Sequence, residues 1–467
     1  MRLSPRNQSA NHHPFALIVC FPLFFLFEIS PPSDFSLRKL PNVPFMKDSL
    51  TLLAQYLRCF LLGLFLVPHL VAGVALAQTT ESDLFHQLTA RCDTDSIPTK
   101  TLYLKVDALA FFKDNEFDGN IAKGYTLPGV RLTPHLTYRP LSNLNLQLGL
   151  TALCYDGTNY YPNYAFHDIV TWKGNAYQGF AHTLPFFRAE LQMGAATFVF
   201  GDLYGGANHN LILPLYKPEN LLTTDPEKGF QTIIRTRRWK MDAWIDWQSF
   251  IYEMDKHQEA FTVGMSQVFH LLQPHSHGWS LDLPVQMMVQ HRGGEQDDTD
   301  LGVQTLCNGS VGLQLRKTLH HRVFNEAALE MHALGAYQQA GKLWPFNNGA
   351  AMWVGGSLQM WQALRLQLGW WKTQDFVTLY GSPFFNTISL KNEGARFSHM
   401  NTAFWSIEYA RSFGRDYVFG AKANGYITDA GCLQLKNGAI DPAALRHTFS
   451  FGVFLRAQPR FLLKRFK

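Results

Sequence analysis

The stretch Asn143–Cys154, NLNLQLGLTALC, decides the fold class because its residues alternate between two faces. The apolar face carries Leu144, Leu146, Leu148, Leu150 and Ala152, and the other face carries Asn145, Gln147, Gly149 and Thr151. A period of two is typical of a β-strand with one apolar and one polar side. The stretch therefore predicts a strand that separates an apolar environment from a polar one.

The same alternation recurs at 102–110, 311–316, 364–370 and 449–458, with charged or polar side chains opposite the aliphatic ones. A soluble β-sandwich would alternate too. However, many stretches reach the ~9–11 residues that a tilted membrane strand needs, and they continue to the end of the chain. We therefore predict an all-β fold, a single antiparallel transmembrane β-barrel of about 14 to 18 strands, with about 16 as the best estimate because even numbers are usual.

Tyrosine and tryptophan residues cluster near the ends of the predicted strands, as aromatic girdles at two membrane interfaces would place them. The residues concerned are Tyr155, Tyr160, Tyr161, Tyr164, Trp172, Trp239, Trp279, Trp344, Trp353, Trp370, Trp371 and Tyr380. The alternative is that aromatic residues simply favour strands. We expect a girdle.

The N-terminal part predicts export. Lys47 and Arg58 precede an apolar stretch that ends in Ala75-Leu76-Ala77, the pattern of a cleaved signal peptide at 46–77. Residues 1–45 add a second apolar run, and we expect them to be a spurious extension; a first transmembrane helix is the alternative. Residues 78–99 are predicted to be a short periplasmic lead-in and residues 100–467 the barrel.

Composition excludes several classes of function. The formal net charge is only +5, without a basic stripe, which does not fit nucleic-acid binding. The cysteines and histidines form no ligand pattern for zinc, and His275 and His277, two residues apart beside Pro274, are expected to lie in a turn. We predict no metal and no cofactor. The esterase motif GxSxG and the phosphate-loop motif are both absent.

The candidate site consists of charged residues on the polar faces of the strands, which we expect to form the hydrated lining of a lumen. They are Lys105, Asp107, Arg235, Arg237, Asp242, Asp246, Arg316 and Arg365. Arg235 and Arg237 precede a turn, and Asp242 and Asp246 follow it. We expect these four to form a cross-strand ladder of opposite charges that satisfies the interior, or that sets the field of a pore.

Gly201–Gly229, GDLYGGANHNLILPLYKPENLLTTDPEKG, is the most distinctive loop because it is rich in Gly, Pro, Asn and acidic residues. An ordinary surface loop is the plainer interpretation. The alternative is a segment that folds inward as a plug or constriction.

With leader, girdle and alternation together, the chain resembles the porin-like outer-membrane barrels of Bacteroides-type bacteria, in architecture over residues 78–467. The segment Ser450–Leu455, SFGVFL, is similar to their terminal strand, although this chain continues past Pro459 to Lys467. The resemblance implies residence in the outer membrane of a Gram-negative bacterium. It also implies, as partners, outer-membrane lipid and lipopolysaccharide, the barrel-assembly machinery and a second copy of the chain.

The expected function is passive diffusion of small hydrophilic solutes through a polar lumen, without catalysis. Two alternatives stay open: a barrel enzyme that acts on envelope lipid, and a non-porous structural or adhesive barrel. A lumen closed by the 204–229 loop would remove the pore.

Overall fold

The computed structural model describes residues 84–89, 97–156, 182–251, 257–273, 278–294, 302–442 and 445–467. The predicted extension, signal peptide and cleavage site therefore lie outside the described residues, as do His275 and His277. Four residues of the predicted girdle also lie outside them: Tyr160, Tyr161, Tyr164 and Trp172. No helix in the described part of the chain is long and apolar enough to cross a membrane.

The described chain is almost entirely antiparallel β-strand. The strands are β1 (Thr101–Phe117), β2 (Tyr125–Leu141), β3 (Leu144–Tyr155), β4 (His182–Met193), β5 (Ala196–Asp202), β6 (Lys228–Arg235), β7 (Trp239–Ser249), β8 (Ala260–Leu272), β9 (Trp279–Arg292), β10 (Gln304–Thr318), β11 (Phe324–Ala340), β12 (Asn348–Met360), β13 (Leu364–Gln374), β14 (Arg396–Phe397), β15 (Met400–Phe413), β16 (Tyr417–Asp429), β17 (Cys432–Gln434), β18 (Ile440–Pro442), β19 (Arg446–Ala457) and β20 (Arg460–Arg465). Within the described residues one α-helix, α1 (Leu84–Thr89), precedes them, and 3₁₀ turns lie at Gly206–His209, Pro218–Leu222 and Pro383–Phe385.

Sixteen strands close into a barrel, which confirms the predicted class and strand number. Each barrel strand pairs with the next, and β19 returns to β1 with Phe117 opposite Thr448 and Ala108 opposite Ala457. The tail beyond Pro459 continues this last strand as β20, where Leu104 lies opposite Phe461. The three strands β14, β17 and β18 form a separate small sheet in the loops.

Alternation places the two faces as the sequence predicts. On β3, Leu148 and Leu150 are 61% and 52% exposed on the outside, whereas Gln147 and Thr151 are buried inside. Short turns join the strands at one end of the barrel, and the longer connections, such as 203–227 and 375–399, lie at the other. This asymmetry is typical of outer-membrane barrels.

The interior holds an apolar core as well as polar groups. Trp353, Trp371, Phe376 and Phe385 are fully buried in one cluster, to which the connection 375–399 contributes. The predicted girdle is therefore wrong for a group of aromatic residues that face inward: Tyr155, Trp344, Trp353, Trp371 and Tyr380. These rings pack against segments that enter the barrel, whereas Trp279 and Trp370 are exposed outside. Alternation gives the face of a residue but not what occupies the lumen.

Candidate functional site

The β5–β6 connection, residues 203–227, folds into the barrel. Gln286 of β9 accepts a hydrogen bond from the Ile212 N–H at 3.0 Å and donates one to the Asn210 carbonyl at 2.8 Å. On the opposite wall, the Tyr155 hydroxyl of β3 donates to the Leu222 carbonyl at 2.6 Å. The connection thus crosses the lumen and is tethered on both sides. Of the two interpretations of this stretch, the segment that folds inward is therefore correct, and the surface loop is wrong.

His209 is the most constrained residue of this connection. Its Nδ1 lies 2.8 Å from Asp242 Oδ2 and its Nε2 lies 2.6 Å from Glu227 Oε2. The side chain is fully buried and stacks on Trp244, with ring centroids 3.5 Å apart. Burial opposes the imidazolium charge, but the two carboxylates outweigh it and raise the pKa of His209 to about 10. The protonated imidazole pairs with Glu227 and with Asp242 of β7, and these contacts hold the connection to β7.

Glu219 ties the far side of the same connection to three lysines. It pairs with Lys113 of β1, with Lys422 of β16 at 3.6 Å and with Lys217 at 3.6 Å. Burial alone would raise the pKa of the Glu219 carboxyl, but the three ammonium groups outweigh it and hold that pKa well below its usual range. Ion pairs therefore fix the loop across the barrel from the His209 contact.

Two further segments occupy the lumen. Helix α1 packs Phe85 edge-on against Phe454, and its Leu84 N–H donates to Glu408 at 3.2 Å. The 375–399 connection is held by Asn308 of β10, which donates to the Val377 carbonyl at 2.9 Å and accepts from the Leu379 N–H at 2.7 Å. The lumen is thus crossed by three parts of the chain.

A cavity of about 190 Å³ remains between these segments and strands β1 to β4. Its wall includes Lys105, Asp107, Arg131 and Arg188 together with apolar positions such as Leu109. Most of these charged side chains already make contacts with other protein groups. Arg188 donates to the carbonyls of Asp202 and Leu203, and it lies 4.0 Å from the ring of Tyr204.

One serine and one histidine meet on the inner wall. The Ser310 hydroxyl of β10 lies 3.0 Å from Nδ1 of His332 on β11, and both side chains are buried. Glu330, two residues before His332, places its Oε2 atom 3.9 Å from His332 Nε2. Glu330 is itself oriented by the Trp353 indole N–H, which donates to Oε1 at 2.8 Å.

The local sequence explains why this arrangement forms. Ser310, Gly312, Glu330 and His332 all occupy inward positions, and Gly312 lies directly opposite His332 in the strand register. A Cβ atom at Gly312 would approach His332 Nδ1 to 2.3 Å. Glycine therefore leaves the space into which the imidazole folds.

The structure does not bring the predicted charges into one site. Lys105 and Asp107 line the cavity, and Asp107 pairs with Arg456 at 3.3 Å.

The predicted ladder is not formed. Arg235 and Arg237 are exposed at the β6–β7 turn, while Asp242 contacts His209 and Asp246 accepts from the Lys228 N–H. On the far wall, Arg316 donates to Gln314, and Arg365 lies opposite Glu408.

The ladder fails for a geometric reason. In the β6–β7 register Asp242 lies opposite Ile233 and Asp246 opposite Gly229, so both acids are well above the turn that carries the arginines. The contacts of His209, Glu219, Ser310 and His332 could not be predicted from the sequence, because they depend on the strand register and on how the 203–227 connection folds inward. For His332, the sequence did offer one indication of a polar contact, because Glu330 lies two residues earlier on the same face of the strand. Among the described residues, no group of three potential metal-ligating side chains is present.

Comparison with known proteins gives one family. A family model described as Lipid A 3'-O-deacylase-type matches residues 92–466. This model describes an enzyme family, which contradicts the prediction that the chain is not an enzyme. No curated protein matches the chain.

Several solved outer-membrane proteins are similar to this chain at low identity. OprD from Pseudomonas aeruginosa has 8% identity and a TM-score of 0.43, covering 79% of this chain and 95% of its own. OccAB1 from Acinetobacter baumannii has 9% identity and a TM-score of 0.44, covering 79% and 100%. OmpT from Vibrio cholerae has 9% identity and a TM-score of 0.42, covering 77% and 100%. These similarities say nothing about activity.

Proposed function

Because the chain belongs to the lipid A 3'-O-deacylase-type family, we propose that it is an outer-membrane enzyme that hydrolyses an ester-linked acyl chain of lipid A. The observation that carries this proposal, beside the family, is the filled lumen. Loop 203–227, loop 375–399 and α1 cross the interior and are tethered to the wall by buried contacts. A barrel built in this way resembles a scaffold around an interior site more than a passage for solutes.

The outer surface suits a lipid substrate. Apolar side chains such as Leu148, Phe200, Leu329 and Leu368 are more than half exposed on the barrel exterior. Such a band lies against acyl chains in a membrane. A protein that resides there is surrounded by lipid, so its lipid substrate reaches it within the membrane without a soluble carrier.

The interior suits hydrolysis because it is shielded and polar. Ester hydrolysis needs a base within hydrogen-bond reach of the attacking oxygen and protection from bulk water. The segments that fill the lumen provide this shielding, and buried polar side chains such as Gln286 and Asn308 line the wall.

Passive diffusion is the competing function, and porin-like architecture is what favours it. The two are separated by expressing the full chain in a Gram-negative host whose lipid A keeps its 3'-O-linked acyl chain. We expect mass spectra of lipid A from these cells to lose one acyl chain relative to cells with the empty vector. In planar bilayers we expect the purified protein to give no steady conductance. Unchanged lipid A together with stable open channels would reverse the assignment in favour of the pore.

A further inference from the structure

The cavity beside strands β1 to β4 is lined by two arginines, Arg131 of β2 and Arg188 of β4. Within the described residues neither guanidinium forms an ion pair with a carboxylate. Backbone carbonyls hold them instead. Arg131 donates to the carbonyl of Leu221. Arg188 donates to the carbonyls of Asp202 at 2.6 Å and Leu203 at 2.8 Å. These carbonyls orient each guanidinium group, but they do not neutralise its charge.

The carboxylates that line the same cavity are already paired with other groups. The pairs are Asp107 with Arg456 at 3.3 Å, Asp225 with His182 at 2.8 Å, Glu227 with His209 at 2.6 Å and Asp202 with Lys228 at 4.0 Å. Arg131 and Arg188 are therefore two fixed positive charges that no carboxylate of the described residues compensates. An enclosed charge without a counterion is costly, and an anion from outside the chain would remove that cost.

Both guanidinium groups keep N–H donors for such an anion. An arginine has five N–H groups. The contacts of the described chain use Nη1 of Arg131, and Nε and Nη2 of Arg188. A guanidinium group binds the oxygens of a phosphate or carboxylate through paired N–H donors. A phosphate monoester carries about −1.5 to −2 charges at pH 7, which matches two guanidinium groups better than the single charge of a carboxylate does.

His135 of β2 gives the same cavity a hydrogen-bond acceptor. Its Nδ1 lies 3.0 Å from the carbonyl oxygen of Thr133, which can only accept, so Nδ1 carries the proton. In the neutral ring Nε2 then has a lone pair, and no side chain or backbone group of the described residues donates to it. A hydroxyl group of a ligand is a suitable donor for Nε2. The ring of Phe186, 5.0 Å from that of His135, adds an apolar surface.

We propose that this cavity binds a small phosphate monoester that carries hydroxyl groups. Arg131 anchors the phosphate, Arg188 adds a second positive charge, and His135 accepts a hydrogen bond from a hydroxyl group. The volume of about 190 Å³ is far above the ~10–15 Å³ that one water needs, so the cavity admits a phosphate with several carbon atoms. A soluble metabolite or the headgroup of an envelope lipid could supply this group. The site does not depend on the proposed ester hydrolysis.

Calorimetric titration of the purified full chain in detergent tests the site and separates the two sources. The soluble probe is glycerol 3-phosphate. The lipid probe is dioctanoyl phosphatidic acid, which carries the same phosphate monoester but has its hydroxyl groups esterified. We expect wild type to bind glycerol 3-phosphate and not to bind glycerol, the uncharged control. Tighter binding of glycerol 3-phosphate supports a soluble ligand, and tighter binding of phosphatidic acid supports a lipid headgroup at the same phosphate site.

Substitutions of the anchor test the phosphate contact. Arg131→Gln removes the charge and should raise the dissociation constant of glycerol 3-phosphate by on the order of 10- to 100-fold. Arg131→Lys keeps the charge but loses the planar donors, and it should bind with intermediate affinity. The matched control is Arg316→Gln, an inward arginine of β10 that donates to Gln314 and lies outside the cavity. It should bind like wild type.

A substitution of the imidazole tests the hydroxyl contact separately. His135→Phe keeps a ring beside Phe186 but removes the acceptor. It should weaken glycerol 3-phosphate by on the order of 10-fold and leave the binding of inorganic phosphate unchanged. Equal losses for both probes would contradict the assigned role of His135.

Thermal unfolding of every protein, with and without glycerol 3-phosphate, shows that the variants are folded. The ligand should raise the midpoint of wild type and of Arg316→Gln, but not that of Arg131→Gln at the same concentration. If Arg131→Gln does not fold, Arg131→Lys carries the test. Absence of binding of both phosphate probes to wild type would overturn the proposal, as would equal affinity of wild type and the Arg131 variants. The deacylation of lipid A is measured in a separate assay, so either proposal can fail without the other.

Discussion

The imidazole of His209 stacks on the indole of Trp244, with ring centroids 3.5 Å apart and planes inclined by 11°. Asp242 and Glu227 hold the two ring nitrogens. The indole in turn lies over Gly264 of the neighbouring strand, where a Cβ atom would come within 2.0 Å of the ring. A glycine, an indole and an imidazolium are thus layered from the wall into the lumen, and they fix the loop that fills it.

Replacing His209 should release this loop. In His209→Gln the carboxylates of Glu227 and Asp242 lose the charge that compensates them, which costs about 3–5 kcal/mol for a buried pair that loses one partner. Chemical denaturation in detergent should report this loss, and a protease should cut the 203–227 connection faster. The control is His399→Gln, an exposed histidine near Asp429, which should change the free energy of unfolding by less than about 1 kcal/mol. Equal effects of the two variants would show that the stacked histidine does not hold the loop.

The same residue predicts a loss of stability at alkaline pH. The folded protein raises the pKa of His209 from 6.5 to about 10, so the folded state binds the proton more tightly than the unfolded state does. The stabilisation is fully present below about pH 6.5 and is lost as pH rises through about 10. Thermal unfolding midpoints of wild type should fall toward those of His209→Gln over this range. A difference between the two proteins that stays constant with pH would contradict a charged His209.

The Glu219 cluster makes an independent prediction for the other end of the loop. Glu219→Gln leaves the buried ammonium groups of Lys113, Lys217 and Lys422 without their shared carboxylate. We expect a loss of about 3–5 kcal/mol and, in planar bilayers, transient openings where wild type is closed. The control is Glu393→Gln, an exposed glutamate of the other inward connection. If neither closure nor stability changes, the cluster does not latch the loop.

A pair of glycines tests the space beneath His332. Gly312→Ala places a methyl group against the imidazole, whereas Gly335→Ala on the partner strand meets no atom within 4 Å. Gly312→Ala should displace His332 and lower the free energy of unfolding by about 1–3 kcal/mol from overpacking, as measured by chemical denaturation in detergent. Gly335→Ala should keep the stability of the wild type. Equal stability of the two variants would show that the imidazole of His332 is not packed against Gly312.

The alternation of apolar and polar residues predicted the strands of the barrel wall, but not the segments and side chains that fill the lumen. Asn143–Cys154 became β3 because each residue there has an unambiguous face, and the barrel of sixteen strands follows from such segments. The inward aromatic residues were misjudged because Trp353 and Trp371 pack on loops that are distant in sequence. Likewise, Ser310 meets His332 only through the β10–β11 register, which a sequence without a known turn does not fix.

The hydrolysis of lipid A by the purified protein tests the central claim most directly. Full-length protein in detergent is incubated with lipid A that carries its 3'-O-linked acyl chain, and the mixture is analysed by mass spectrometry. The account predicts that the lipid A mass falls by one acyl chain and that an equal amount of free fatty acid appears. An unchanged lipid A mass, with no fatty acid released by the wild-type protein, would contradict it.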